Sequence, residues 1–333
     1  MKAPQDYAYW IGLAHLPGWP TARVNRLVIR ILHNKQMKLQ EFFTLQPNEW
    51  RHEFQLSTKE IGDLEQVKPK ISNYAFLAEE MLSQGFRLIP LNSKEYSPTL
   101  KENLKVKFAP PVLYVKGNTE LLRNPSVAIV GSRQASDKAL QFTDIVARKC
   151  VKDHKTVASG FAKGVDRQAY ESAVKYNGQS IIVLPQGIMT FSSEIRKHYH
   201  HIAEGDVLVL STFFPKAGWS IGLAMSRNAY IYGLAQEIYV AESDNKGGTW
   251  EGVLDGLKRD RLIYVRQADD DEKNANNLLI AKGAVAVDAE GNPVESRTAA
   301  VQQTNRTGQS QKIVKSQGEN GNKTAALRLS KLW

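Results

Sequence analysis

From residue 85 onward, short apolar runs alternate with longer stretches of helical periodicity, and this alternation constrains the fold more than any other feature. The runs are FRLIPL, VLYVKG, SVAIVG, TVASG, SIIVLP, VLVLS, EIYVAE and RLIYV. Several are nearly continuous Val, Ile and Leu, the composition of strands buried on both faces. Between them lie helical segments such as ALQFTDIVARKCVKD, DRQAYESAVKYN and SRNAYIYGLAQ. Strand–helix alternation predicts right-handed βαβ units and an α/β fold with a doubly wound, mostly parallel sheet. Sheets of that kind bind ligands at the carboxyl ends of their strands.

Residues 7–84 read differently. YWIGLAHLPGWPTARVNRLVIRIL has apolar residues at helical spacing, broken by Pro17-Gly18 and Pro20. Further helices are expected around LQEFFTL, after Ser57 and through ISNYAFLAEEML, with Ser57 and Glu60 spaced as a capping box. The LPGW segment reads first as a plain helix–helix turn, and second as a helix-hairpin-helix turn able to hold a phosphate. The expected division is a small helical domain over 1–84, the α/β domain over 85–288, and a polar basic tail over 289–333 that cannot bury enough apolar surface to fold alone.

Composition bounds the function classes. The chain has 333 residues, 42% hydrophobic and 23% charged, within the ordinary globular range. No stretch approaches the roughly 18 apolar residues of a membrane helix, and MKAPQDYAYWIGL lacks the pattern of a secretory leader, so a cytoplasmic protein is expected. The single cysteine, Cys150, excludes an internal disulfide framework and a cysteine metal cage, and reads as a small buried residue. The formal charge is +10. From Arg297 onward seven basic residues face only Glu319, so residues 297–333 carry +6 and residues 1–296 carry +4. That distribution suggests a polyanionic partner.

The residues suited to holding such a partner lie in turns that follow strands. In SVAIVGSRQASDKAL, Gly131-Ser132-Arg133 join a buried strand to a helix with Ser136 as N-cap. The helix start offers amides and a positive dipole end, and Arg133 adds a fork of donors. One glycine instead of three excludes the dinucleotide fingerprint. In TVASGFAKGVDRQAYESAV, Ser159-Gly160 end a strand, Lys163 is a possible phosphate contact or a solvated loop lysine, and Asp166 reads as a cap. After SIIVLPQGI come Arg196 and Lys197 on a helix. His198, His200 and His201 follow, and read as an exposed helix face because no carboxylate or cysteine completes a metal set. Arg227-Asn228 and Gly247-Gly248-Thr249 are the remaining candidates. Phe161, Tyr170, Phe191 and Tyr230 read as core before they read as base-stacking residues. No catalytic residue, cofactor or metal is expected.

These blocks, in this order, resemble the DNA-processing protein A family (DprA, also called Smf). YSPTLKENLKVKFAPPVLYVKGNTELLRNPSVAIVGSR is similar to that family's lead-in, SGFAKGVDRQAYESAV to its second block, SRN to its arginine-asparagine block, and AESDNKGGTWEG with NNLLIAKGAVAV to its final blocks. The resemblance spans about residues 7–288. It implies a Rossmann-like core fused to a helical N-terminal domain. It also implies binding of single-stranded DNA without strong sequence preference, loading of a RecA-type recombinase, a role in transformation and recombination, and a homodimer. By the same resemblance Arg133, Lys163, Arg196 and Arg227 are phosphate contacts. The chain departs from the family pattern at Tyr170, Pro185–Gly187, Thr212, Ala229, Gly247–Thr249 and Arg266–Gln267, which marks a divergent member. A second reading is a nucleotide-binding or sensing protein similar to the "lonely guy" phosphoribohydrolases. Glu251 falls two residues after Thr249 where that motif has three, which disfavours hydrolysis.

Overall fold

The structure, a computed structural model, describes residues 4–294. Six helices come first: α1 (Pro4–Ala14), α2 (Thr21–Ile29), α3 (Leu39–Thr44), α4 (Pro47–Phe54), α5 (Thr58–Val67) and α6 (Ile71–Ser83). The capping box at α5 is present: Ser57 Oγ accepts from the Glu60 amide at 3.3 Å, and Glu60 returns a bond to the Ser57 amide at 2.8 Å. The LPGW turn joins α1 to α2. Its Gly18 takes φ +73, and Trp19 Nε1 donates to Asp63 on α5 at 2.9 Å, which pins the turn to the bundle.

The remaining elements alternate. They are β1 (Arg87–Pro90), α7 (Pro98–Phe108), β2 (Val112–Gly117), β3 (Ser126–Val130), α8 (Asp137–Lys152), β4 (Thr156–Ser159), α9 (Val165–Lys175), β5 (Ser180–Val183), α10 (Ser192–Lys197), α11 (Tyr199–Glu204), β6 (Val207–Ser211), α12 (Ile221–Leu234), β7 (Glu237–Val240), α13 (Gly248–Lys258), β8 (Leu262–Arg266), α14 (Asn276–Ala281) and β9 (Val285–Val287). All eight expected strands form. β9 is an addition that its three residues, too short a run to stand out, did not announce. The strands make one sheet in the order β1-β2-β6-β5-β4-β3-β7-β8-β9. β3 through β9 run parallel, while β2 pairs antiparallel with both β1 and β6.

Helices cover both faces of this sheet, as near-complete burial of β2 to β6 requires. The helical segment is not detached from it. Trp50, Phe42, Phe54 and Leu64 belong to one apolar core that continues through Tyr114, Ile182 and Val209 on the sheet. At this seam His15 Nε2 meets the Tyr114 hydroxyl at 2.8 Å, and burial pushes the His15 pKa down to about 4, so the ring stays neutral. Cys150 is buried as expected, with its thiol pushed up to about 12 by burial.

After β9 the chain turns back on itself. The Asp288 carboxylate accepts from the Glu290 and Asn292 amides at 3.0 and 2.8 Å, Pro293 makes an antiparallel bridge to Val287, and the Val294 amide donates to Ala286 at 2.9 Å. The first residues of the expected tail are thus fastened to the sheet. The tail beyond 294 lies outside the described residues. Among the described residues no helix is long and apolar enough to cross a membrane.

Candidate nucleic-acid interface

The strand order reverses around β3: β4, β5 and β6 extend to one side, and the chain then returns to place β7 on the other. At such a switch point the two strand ends diverge and leave a crevice. Here the crevice is a cleft of about 530 Å³. Its walls come from the turns after β3 and β7, from the face of α12 and from the start of α13.

Of the twelve residues expected from the sequence, the structure brings eight together in this cleft: Gly131, Ser132, Arg133, Arg227, Asn228, Gly247, Gly248 and Thr249. Gly131 is required by packing, because a Cβ there would sit 2.6 Å from Val165 on α9. Arg133 is exposed at the rim and makes no ion pair among the described residues. At α13, Gly247 takes φ +91 and no side chain caps the helix. Its first turn therefore opens onto the cleft with amides and the positive end of the helix dipole. Gly248 lets α13 approach α12, since a Cβ would stand 2.6 Å from Asn228 Nδ2.

The start of α8 is partly filled from within. Ser136 caps the helix as expected, accepting from the Ala139 amide at 3.3 Å. The Glu242 carboxylate, however, accepts from the Ser136 amide at 3.2 Å and from its hydroxyl, and the Ser132 amide already donates to the Glu242 carbonyl at 2.9 Å. The open helix terminus of this cleft is α13, not α8.

Arg227 forms the floor. It is 3% exposed and its Nη1 stands 3.2 Å from Asp166 Oδ2, across 61 residues of sequence. Asp166 was expected as a cap; its carboxylate instead serves as the counterion. Burial raises the Asp166 pKa, and the Arg227 charge opposes that rise. Arg227 Nε is buried with no hydrogen-bond partner. A buried donor without a partner is costly, and the ion pair with Asp166 is what holds the guanidinium in place.

The other four expected residues are placed outside the lining. Ser159 Oγ donates to the Ile129 carbonyl at 3.1 Å and ties β4 to β3. Gly160 leaves room for Arg227, whose guanidinium occupies the space a Cβ would take. Lys163 is exposed in the turn before α9, and Arg196 is exposed on α10. Phe161 and Tyr170 are core residues, and Phe191 and Tyr230 pack half-buried against the cores. Two aromatics line the cleft: the buried Tyr232, and Trp219, which is 53% exposed with Ile221 (72%) and Met225 (43%) beside it. Its signal in the sequence was a tryptophan between Gly218 and Ser220, outside any periodic segment. Lys246 completes the rim, so three cations face two carboxylates, Asp166 and Asp244.

With this geometry in hand, the sequence profile of the family described as DNA recombination-mediator protein A matches residues 87–297. The chain belongs to that family. The DprA/Smf relatives include the DNA processing protein DprA of Streptococcus pneumoniae, 33% identical over 141 residues, or 42% of this chain and 50% of that protein. Protein Smf of Synechocystis is 26% identical over 303 residues, 86% of this chain and 71% of its own length. With the pneumococcal relative the match thus spans half of that protein's length. A crystal structure of DprA from S. pneumoniae shares the fold, with a TM-score of 0.68 at 24% identity over 86% of this chain and 95% of that one. A structure of DNA processing protein A from Helicobacter pylori, reported for its single-stranded DNA binding mode, gives a TM-score of 0.51 at 23% identity. It covers 67% of this chain and 96% of that one. The DprA/Smf match begins at β1 and contains every wall of the cleft.

Proposed function

We propose that this cleft holds the backbone of single-stranded DNA, and that the protein hands the strand on in DNA processing and recombination. The observation that carries the reading is the Arg227 guanidinium at the floor of the cleft onto which the uncapped start of α13 opens. Together they form a preorganised anion site at the switch point. Arg133 and Lys246 extend it along the rim. The family's description as a recombination mediator supports a RecA-type recombinase as the next partner; a homodimer acting in the cytoplasm is part of the same proposal. The mode of binding reported for the H. pylori relative supports the choice of a single strand over a duplex.

Fluorescence anisotropy with labelled oligo-dT and duplex DNA over a salt series tests this. Full-length protein is expected to prefer the single strand and to weaken as salt rises. Arg133→Ala is expected to weaken binding and reduce the salt slope by about 1, the value for one lost phosphate contact. Equal affinity for duplex, or an unchanged slope in the variant, would overturn the reading.

Trp219 is the residue placed to receive a base. Stacking on an exposed aromatic contributes about 1–3 kcal/mol per base. Trp219→Ala is therefore expected to weaken oligo-dT binding by roughly tenfold, while Trp219→Phe keeps most of it. Quenching of tryptophan fluorescence on binding should disappear in the alanine variant. A wild-type affinity there would remove Trp219 from the interface.

The reading involves no chemical step. Glu251 lies on α13 but lines a smaller neighbouring cleft of about 180 Å³ rather than the main one. The nucleotide-hydrolase alternative would gain ground only if free base were released from a nucleoside monophosphate.

A further inference from the structure

The histidines that follow α10 gain a partner that the sequence reading had not supplied. His200 and Glu204 occupy positions i and i+4 of α11, so both side chains leave the same face. His200 Nε2 stands 3.2 Å from Glu204 Oε2. The His200 and His201 rings lie 4.0 Å apart between centroids, and one ligand atom from each of the three residues falls within 4.8 Å of the other two. This is the single such group among the described residues.

We propose that His200, His201 and Glu204 form a surface site for a borderline divalent cation of the zinc type. The measured His200–Glu204 separation is close to about 3.4 Å, the edge of a tetrahedron with bonds of about 2.1 Å. Two ligands are therefore already spaced for coordination, and the half-buried His201 ring, stacked beside that of His200, supplies the third. Two imidazoles with one carboxylate favour zinc, nickel or copper over magnesium or calcium, which take oxygen. The nearby cations do not compete for the carboxylate. Lys197 is bonded to Glu194 at 2.5 Å, and Arg167 stands 3.9 Å from the same residue. His198 is turned inward, its Nδ1 at 2.8 Å from the Tyr170 hydroxyl, and stands outside the set. The bound ion would clamp α11, a six-residue helix too short to be stable by itself. Its remaining coordination position faces solvent.

The test is calorimetric titration of tag-free full-length protein, stripped with chelator, with zinc chloride and separately with magnesium chloride. One zinc per chain is expected, with no heat from magnesium. His200→Ala and Glu204→Gln should each weaken zinc at least tenfold, while His52→Ala, an exposed histidine elsewhere, should leave it unchanged. Hydrogen exchange of the α11 amides should slow with zinc in the parent chain and not in Glu204→Gln. Absence of zinc binding, or zinc binding that both site variants retain, would overturn the proposal.

Discussion

Arg227→Ala is expected to unfold about 6–10 °C below the parent chain and to lose its preference for single-stranded DNA. The substitution leaves Asp166 buried at the cleft floor without its counterion. Breaking one side of a buried pair costs about 3–5 kcal/mol, and at this chain length each kcal/mol moves Tm by about 2 °C or slightly more. The pH dependence identifies the source. Burial already holds the Asp166 pKa above its unfolded value, and Arg227 is the main group opposing that rise. A carboxylate with a raised folded pKa stabilises the fold at low pH and loses that contribution as pH climbs through the folded value. Removing Arg227 raises that value further. The deficit of the variant should thus be largest near pH 7.5 and shrink toward pH 5. Urea denaturation at the two pH values measures it. A deficit of equal size at both would mean that the loss comes from packing, not from the stranded charge. Pairing Arg227→Leu with Asp166→Asn should recover much of the stability without restoring DNA binding.

Gly164→Ala is the second large effect expected. Gly164 adopts φ +84 and ψ −132, a region essentially reserved for glycine. A Cβ there would also run into the Ser132 carbonyl and the Arg133 backbone, so the turn before α9 and the turn after β3 could not stay in contact. The conformational strain contributes about 1–3 kcal/mol, and parting the turns adds to it. Because the displaced turn carries Arg133, oligo-dT affinity should fall along with Tm. Gly247→Ala is the informative comparison: its φ is also positive, but a Cβ there would meet nothing within 4 Å. It should show a smaller stability loss, from strain alone. Equal losses in the two variants would mean that turn contact contributes nothing.

Much of the fold was legible because strands β1 to β8 are short apolar runs bounded by turn residues, a local property. Direction is not local. Nothing in VLYVKG or FRLIPL states that β2 runs against its neighbours, since that depends on which strands lie beside it. The turn residues Gly131–Arg133 and Gly247–Thr249 were readable because each follows a strand and opens a helix. The floor was not. Asp166 and Arg227 are 61 residues apart, and only the switch of strand order brings α9 and α12 together. Glu242 was missed for the same reason: it fills the start of a helix 106 residues away. Lys163 and Arg196 lie outside the cleft lining, and charge in a turn or helix does not tell which way a side chain faces.

The return of the chain after β9 has a consequence for how copies of this protein avoid one another. A nine-strand sheet has two borders, and an open border with free amides and carbonyls is a template for adding a foreign strand. At β9 the segment through Pro293 and Val294 occupies that border, and proline contributes no donor to it. At the opposite side β1 is only four residues long, ends in Pro90 and carries the charged Arg87, bonded to Glu95 at 2.6 Å. Neither border is a good seed for cross-β growth. Both ends of the sheet are in this way guarded against the pairing that would turn a folded protein into an extended polymer.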